Sequence, residues 1–217
     1  MDSATLHSTL PTEQRLALAY APRAARDLWA GLFLLDSRLA DILRGAREPM
    51  LGQIRLAWWR DRLTETGHPL AGEPLLALLS SWGEHGRGLV ALVDGWEALL
   101  DEGPVGAEAL SGFAEGRAQA CVALARAAGV PEAADEAARA GFGWAIADLG
   151  GKLTRKEERN AANGLADQQD WRRSALPRPL RPLMILHGLA RRNGGAKGLL
   201  SGPGDLLIAA RIGLIGR

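Results

Sequence analysis

Cysteine, aromatic residues and an excess of one charge are all scarce in this 217-residue chain. The single cysteine, Cys121, excludes an intramolecular disulfide and a metal cluster built from cysteines alone. Because it lies among alanines and a valine, we expect it to be a small buried hydrophobic residue. The 26 basic residues balance 25 acidic ones, so the net charge of +1 provides no general attraction to nucleic acid.

Long apolar runs are also missing, and a membrane-spanning helix needs about 18 such residues in succession. The first residues of the chain carry neither a basic segment nor an apolar one, so the sequence predicts no secretory signal. We therefore expect a cytoplasmic protein, or one that contacts membranes only from the side. The four histidines form no helical HxxxH pair, and there is no GxSxG, Walker or GxGxxG motif, so the common zinc, hydrolase and nucleotide sites are not indicated.

The chain is instead rich in Leu, Ala and Arg and poor in β-branched residues, a composition that favours helices. Apolar residues recur every three or four positions, and glycine or proline separates the repeats. We expect one all-α domain over residues 1–217, a bundle of about seven to nine helices, with residues 1–11 frayed. The mostly polar residues 150–170 are expected to be the least ordered part.

The periodicity and the breakers also predict local boundaries. The glycine-rich residues 83–88 are predicted to form a turn, and the Asp167–Asp170 spacing before Trp171 predicts the capped start of a helix. The predicted helices cover roughly residues 12–21, 28–43, 49–64, 88–100, 110–128, 132–149, 183–192 and 205–215.

Residues 49–61 are the most informative stretch of the chain. Met50 or Leu51, Ile54 and Trp58 lie three or four residues apart and share one helical face. Pro49 suits the first turn of such a helix, where its missing N–H costs nothing. Chemistry alone favours a core-packing face flanked by snorkelling arginines.

The order of the residues in this stretch carries further information. Residues 48–61, EPMLGQIRLAWWRD, resemble the "EPxLgxIRLxWWRD" segment of the squalene/phytoene synthase family. Residues 22–26 and 39–42 resemble the opening two helices of that family, residues 143–147 its "lGxAxxL" helix, and residues 176–186 its "LPxxxRPxxLPL" step. The chain is most similar to the branch that contains the mitochondrial complex I assembly factor with a phytoene-synthase-like domain. The resemblance implies a bundle of the isoprenoid synthase type that encloses a hydrophobic cavity.

Catalysis in this family implies two clusters of aspartates that hold prenyl diphosphates through Mg²⁺. Two carboxylates at i, i+3 or i+4 would lie on one helix face and supply the oxygen ligands that Mg²⁺ prefers. In the first cluster position the chain has Asp36 and Asp41, whose spacing of five residues points them apart on a helix. Pairing of Asp41 with Arg38 or Arg44 is the simpler interpretation.

In the second cluster position Asp148 stands alone, where the family has a pattern like "NxxRDxxxD". The basic residues that follow it are expected to form a solvated charged loop: Lys152, Arg155, Lys156 and Arg159. The magnesium-binding carboxylates are therefore predicted to be lost, with no cofactor and no assigned catalytic residue. Asp36, Asp41 and Asp148 would be the metal set if Mg²⁺ were bound after all.

These observations lead to a catalytically degenerate synthase-like bundle that binds a protein partner, such as a respiratory-chain component at a membrane surface, or an apolar isoprenoid or lipid. Arg55, Trp59 and Arg60 are the predicted binding surface, and burial is the alternative for Trp58. One competing hypothesis is an active Mg²⁺-dependent prenyltransferase that joins two prenyl diphosphates head to head. Another is a plain structural bundle with a filled centre.

Overall fold

The computed structural model describes residues 9–46, 48–65, 74–100, 103–193, 198–200 and 202–216. These residues form an all-α, single-domain helical bundle, which confirms the predicted fold class. Its α-helices, numbered in chain order, are α1 (Thr12–Ala19), α2 (Arg26–Gly45), α3 (Pro49–Thr64), α4 (Pro74–Leu79), α5 (Val90–Glu97), α6 (Ala107–Ala127), α7 (Ala134–Gly150), α8 (Lys156–Gln168), α9 (Arg181–Asn193) and α10 (Pro203–Ile215).

Helix ends follow the breakers in the sequence. Pro49 occupies the first turn of α3, as its fixed φ predicts. The end of α6 is closed by Gly129 in the left-handed conformation (φ +74°), and the Val130 N–H donates to the Ala125 carbonyl. This closure turns the chain back at once, so that α7 packs along α6.

The centre of the bundle is aromatic, despite the low aromatic content of the chain. Trp29 and Phe33 of α2 lie 5.2 Å apart between ring centroids, and Phe33 meets Trp144 of α7 edge-on at 5.9 Å. Trp96 of α5 and Phe113 of α6 are in edge contact at 4.8 Å between ring centroids. All five side chains are buried, so these rings join α2, α5, α6 and α7 into one core.

Small residues bring α5 and α6 into close contact. Gly95 and Gly116 face each other, and a Cβ on Gly116 would overlap the carbonyl oxygen of Ala91. Cys121 of the same helix is fully buried, as predicted. At Gly116, helix α6 therefore has no room for a side chain larger than that of glycine.

Residues 150–170 differ from the sequence prediction. Most of them form α8, which buries Ala162 and Ala166. The buried Glu158 accepts a hydrogen bond from the Val105 N–H at 3.2 Å, and the Trp171 indole N–H donates to the Ala166 carbonyl at 2.8 Å. The expectation that residues 150–170 are the least ordered part was wrong, because a few small apolar side chains and polar contacts hold α8 in place, and hydropathy does not register them.

Three smaller expectations also need correction. Residues 83–88 lie within a 3₁₀ segment, and only Gly83, at φ +53°, has the conformation of a tight turn. Asp170 caps no helix, since its Oδ1 accepts the N–H of Arg172 in the extended stretch before α9. Of the terminal residues expected to fray, 1–8 lie outside the described residues, and Leu10 is buried.

Among the described helices, none is long and apolar enough to cross a membrane.

Candidate functional site

The most unusual feature of the core is a buried arginine between two buried aspartates. Arg117 projects from α6, Asp36 from α2 and Asp148 from α7, and each side chain is at most 5 % exposed. Arg117 Nη2 donates to both oxygens of Asp36, at 3.1 and 2.8 Å, and Nη1 donates to Asp148 Oδ2 at 2.9 Å. The arginine of one helix thus binds carboxylates from two others.

Further donors complete the coordination of the two carboxylates. The Trp96 indole N–H donates to Asp36 Oδ1 at 2.9 Å, and the Gln14 amide donates to Oδ2 at 3.4 Å. Lys152 Nζ donates to Asp148 Oδ1 at 2.7 Å. All four carboxylate oxygens therefore accept a hydrogen bond from a cation, and those of Asp36 accept a second one from Trp96 or Gln14.

Burial and charge act in opposite directions on the pKa values of this cluster. Burial alone would raise the pKa of Asp148, but the charges of Arg117 and Lys152 outweigh it and lower that pKa below its ordinary value. Burial likewise works against the charged form of Arg117, and Asp36 and Asp148 together overcome it and raise the pKa of Arg117. Arg117 and Asp148 are consequently both charged at neutral pH.

The guanidinium also lies against aromatic rings. Arg117 Cζ is 4.6 Å from the ring centroid of Phe113 and 4.3 Å from that of Trp144. Such contacts replace part of the lost hydration of the cation. Arg117 Nε has no hydrogen-bond partner among the described residues, and neither has the buried Gln14 Oε1.

A cavity of about 500 Å³ opens above this cluster. Asp36, Arg117 and Asp148 contribute to its inner wall, and the exposed side chains of Asp41 and Arg44 contribute to its outer part. The cavity is thus charged at both ends. Its existence is not what a bundle with a completely filled centre predicts.

The residues present do not fit a magnesium site. Mg²⁺ needs free carboxylate oxygens in near-octahedral geometry, and those of Asp36 and Asp148 are already bound by nitrogen donors. Asp41, the third residue of the fallback metal set, lies at the surface and is paired with Arg44 at 2.5 Å. Within the described part of the chain, no three His, Cys, Asp or Glu side chains are grouped so that they could hold a metal ion.

Asp36 and Asp148 thus do converge, although on an arginine. The prediction of an ion pair for Asp41 with Arg44 is confirmed. The sequence interpretation missed Arg117 because its partners lie 81 and 31 residues away along the chain. A signal was nevertheless present, since Arg117 is the one charged residue on the buried face of α6.

Helix α3 presents the second candidate surface, and its orientation differs from the prediction. Met50, Leu51, Ile54 and Trp58, expected to face the core, are 68, 48, 60 and 41 % exposed. The buried side of the helix consists instead of Gly52, Leu56 and Trp59. Gly52 lets α3 approach so closely that a Cβ there would lie 2.8 Å from the Leu100 side chain.

The predicted binding residues are therefore separated. Trp59 is buried and meets the exposed Trp58 edge-on at 5.1 Å. Arg60 is bound to Asp94 and Glu97 of α5, at 2.6 and 2.5 Å. Arg55 is exposed and has no ion pair among the described residues.

A groove of about 350 Å³ between α2 and α3 joins these features. It is lined by Arg38, Asp41, Ile42, Arg55, Trp58 and Trp59. The groove lies beside the exposed apolar side chains of α3, since Trp58 belongs to both. Together they form a surface, here called the α3 face, that consists of Met50, Leu51, Ile54, Arg55 and Trp58.

Comparisons with protein-family models, with curated proteins and with solved structures found no match to this chain. The resemblance to squalene/phytoene synthases therefore stays a prediction that rests on the sequence segments quoted above.

Proposed function

We propose that the protein is a catalytically degenerate bundle of the squalene/phytoene synthase type that acts by binding a protein partner on its α3 face. The observation that carries this proposal is the exposure of Met50, Leu51, Ile54 and Trp58 along one side of one helix. Neighbouring apolar side chains of this size on a surface mark an interaction site. By the resemblance, the partner would be a component of the respiratory chain at its assembly.

The chemistry of the α3 face suits a helix or an extended segment of a partner. Apolar side chains would cover Ile54 and Trp58, and an acidic side chain would enter the groove next to Arg55. Trp58 has the properties of an interface anchor, because it combines a large apolar surface with an indole N–H. Arg62 Cζ lies over its ring, 5.7 Å from the ring centroid.

The loss of catalysis is supported by the buried cluster. Arg117 places a permanent positive charge between Asp36 and Asp148, the position where the family's resemblance implies metal ions. Displacing this arginine would leave its guanidinium without partners in the core, at a cost of several kcal/mol. The cluster therefore favours a scaffold function over metal-dependent transfer.

A protein partner is also favoured over an apolar lipid in the central cavity. The walls of that cavity include the charged groups of Asp36, Arg117, Asp148 and Lys152. An isoprenoid chain placed there would remove water from these charges without replacing their hydration. The α3 face, by contrast, exposes large apolar side chains that a partner could cover.

Two variants test the partner proposal. We expect Ile54→Ser with Trp58→Ser to abolish co-purification of a specific protein from the native host, because most of the apolar contact is lost. The matched control is Leu207→Ser with Leu214→Ser on α10, two exposed residues of the same kind. A protein that is lost only with the α3 variant, and that binds the purified wild type directly, supports the proposal. An unchanged set of co-purified proteins contradicts it.

Calorimetry decides between this proposal and the active prenyltransferase. The purified chain is titrated with a non-hydrolysable farnesyl diphosphate analogue, with Mg²⁺ and with a chelator. We expect no metal-linked binding. Binding that requires Mg²⁺ and is lost in Asp36→Asn or Asp148→Asn would instead establish these residues as metal ligands and refute the degenerate-scaffold proposal.

A further inference from the structure

Charge is segregated along the chain although its sum is nearly zero. Residues 171–217 contain nine arginines and lysines and a single acidic residue, Asp205, whereas residues 1–170 contain 17 basic and 24 acidic residues. Asp205 is buried, and its Oδ1 accepts a hydrogen bond from Arg192 at 3.0 Å. The part of the molecule formed by α9 and α10 is therefore strongly basic.

Helix α10 carries the second group of exposed apolar side chains. Leu206, Leu207, Leu214 and Ile215 are 48 to 74 % exposed, while Ala209 on the opposite side is buried. Arg211 is the only charged residue on the exposed side of this helix. The outer side of α10 is thus aliphatic near both ends of the helix, with Arg211 between them.

A cavity of about 380 Å³ lies beside α10, between this helix, α9 and residues 173–175. Three exposed arginines line it: Arg173, Arg191 and Arg211. Its apolar walls come from Met184 and from Ile208 and Ile212. Among the described residues, Arg173 and Arg191 have no acidic partner. The cavity therefore combines a basic rim with an apolar interior.

A polar group in the wall of this cavity is also incompletely bonded. Ser174 Oγ accepts a hydrogen bond from Arg139 at 2.8 Å and lies 3.1 Å from His187 Nδ1. Of the two ring nitrogens of His187, Nδ1 is therefore in hydrogen-bond contact, and Nε2 is the other one. This buried Nε2 has no partner among the described residues.

We propose that the α10 surface docks on an anionic membrane, with the phosphate of an acidic phospholipid headgroup bound among Arg173, Arg191 and Arg211. The exposed leucines and the isoleucine enter the boundary between headgroups and acyl chains. The three arginines add electrostatic attraction to the negatively charged membrane surface, and they come close to the headgroups once α10 is bound there. This inference concerns a different helix from the α3 face and is independent of the partner proposal.

A membrane fits this surface better than an acidic protein does. Apart from Arg211, the exposed side chains of α10 are aliphatic, without an aromatic anchor or a second polar side chain that would hydrogen-bond across a protein interface. A headgroup layer needs only apolar side chains at one depth and cations beside them. Both are present here in one helix and the cavity next to it.

Sedimentation with vesicles tests the proposal directly. The purified chain is mixed with vesicles of phosphatidylcholine alone and with vesicles that also contain phosphatidylserine, at about 0.1 M salt. We expect binding only to the second kind. Arg211→Gln should lower the partition coefficient about fivefold, and Arg191→Gln should do the same. Leu207→Ser with Leu214→Ser should lower it by at least about tenfold.

Matched controls separate this surface from the rest of the molecule. Arg126→Gln removes an exposed arginine of α6, and Ile54→Ser with Trp58→Ser removes apolar side chains of α3. Neither should change vesicle binding. All variants alter exposed residues, and circular dichroism verifies that each remains folded.

Four results would overturn the proposal. The first is absence of binding to the anionic vesicles. The second is binding that the leucine variant leaves unchanged, because charge alone would then account for it. The third is calorimetric binding of inorganic phosphate, abolished by Arg191→Gln, without any vesicle binding, since the cavity would then serve a free anion. The fourth is an equal loss of vesicle binding in Ile54→Ser with Trp58→Ser and in Leu207→Ser with Leu214→Ser.

Discussion

Replacing Arg117 with methionine should be among the most destabilising single changes in this protein. Methionine has a similar length and no charge, so the change leaves Asp36 without a cationic partner. Asp148 would keep only Lys152, whose side chain is 54 % exposed. Breaking a buried ion pair from one side costs about 3–5 kcal/mol, because a carboxylate is left uncompensated in the core. We expect the free energy of unfolding to fall by that amount.

The stability difference between the wild type and Arg117→Met should depend on pH in a definite direction. In the wild type the pKa of Asp148 is lowered against the effect of burial, so its contribution to stability is present above the ordinary carboxyl pKa of about 3.9 and is lost in acid. Without Arg117 the effect of burial prevails and raises that pKa. The variant then gains stability relative to the wild type as the pH falls, and the difference between them should shrink from pH about 7 toward pH about 4.

Urea unfolding followed by circular dichroism measures both effects. Arg60→Met is the matched control, because Arg60 pairs with Asp94 and Glu97 at the surface, where a loss of less than about 1 kcal/mol is expected. Adding Asp36→Asn and Asp148→Asn to Arg117→Met removes the stranded charges and should recover most of the loss. A cost for Arg117→Met below about 1 kcal/mol, or a cost that is independent of pH, would refute the reasoning.

Other predictions concern single sites. Gly116→Ala should cost about 1–3 kcal/mol in urea unfolding, because its Cβ would overlap the Ala91 carbonyl, whereas Gly164→Ala, which meets open space, should stabilise by up to about 1 kcal/mol. Burial raises the pKa of Cys121 to about 12, so a thiol reagent should react only after unfolding, and fast labelling of the native protein would contradict its burial. Burial and nearby arginines lower the pKa of His187 to about 4, so the free energy of unfolding should fall as the pH drops from about 6.5 to about 4. His187→Gln should remove that part of the pH dependence. An unchanged pH profile in this variant would contradict the assignment to His187.

The helices were largely predictable from the sequence because apolar spacing and breakers act locally. Residues 110–128 were predicted as a helix, and α6 covers Ala107–Ala127. Helix α8 was not foreseen, since its mean composition is polar and its burial depends on alanines and on Glu158. Its stability comes from tertiary contacts, which local periodicity does not contain.

The orientation of α3 could not be derived from periodicity either. Two sides of this helix repeat every three or four residues: Met50, Ile54 and Trp58 on one, Leu56 and Trp59 on the other. Hydropathy does not decide which of the two sides is buried. The buried side is the one that a neighbouring segment can approach closely. Gly52 settles it, because only its side of the helix admits Leu100.

The ion pairs in the core could not be predicted from local sequence patterns either. The spacing of Asp36 and Asp41 was correctly seen to separate the two carboxylates, and Asp41 does pair within its own helix. Asp36, however, is bound by Arg117 from a helix far along the chain. Only the packing of α2 against α6 and α7 makes that pair.

The buried ion pairs are a poor means of stabilising a core, which bears on what the protein does. Well-packed apolar replacements of such clusters are often neutral or stabilising by about 1–4 kcal/mol, so stability alone does not explain Asp36, Arg117 and Asp148. The triple variant that carries asparagine, methionine and asparagine at these positions separates the two functional hypotheses. A scaffold that works through the α3 face would keep its partner in this variant, because no residue of that face has changed. A metal-dependent transferase would lose all activity, since both carboxylates would be gone.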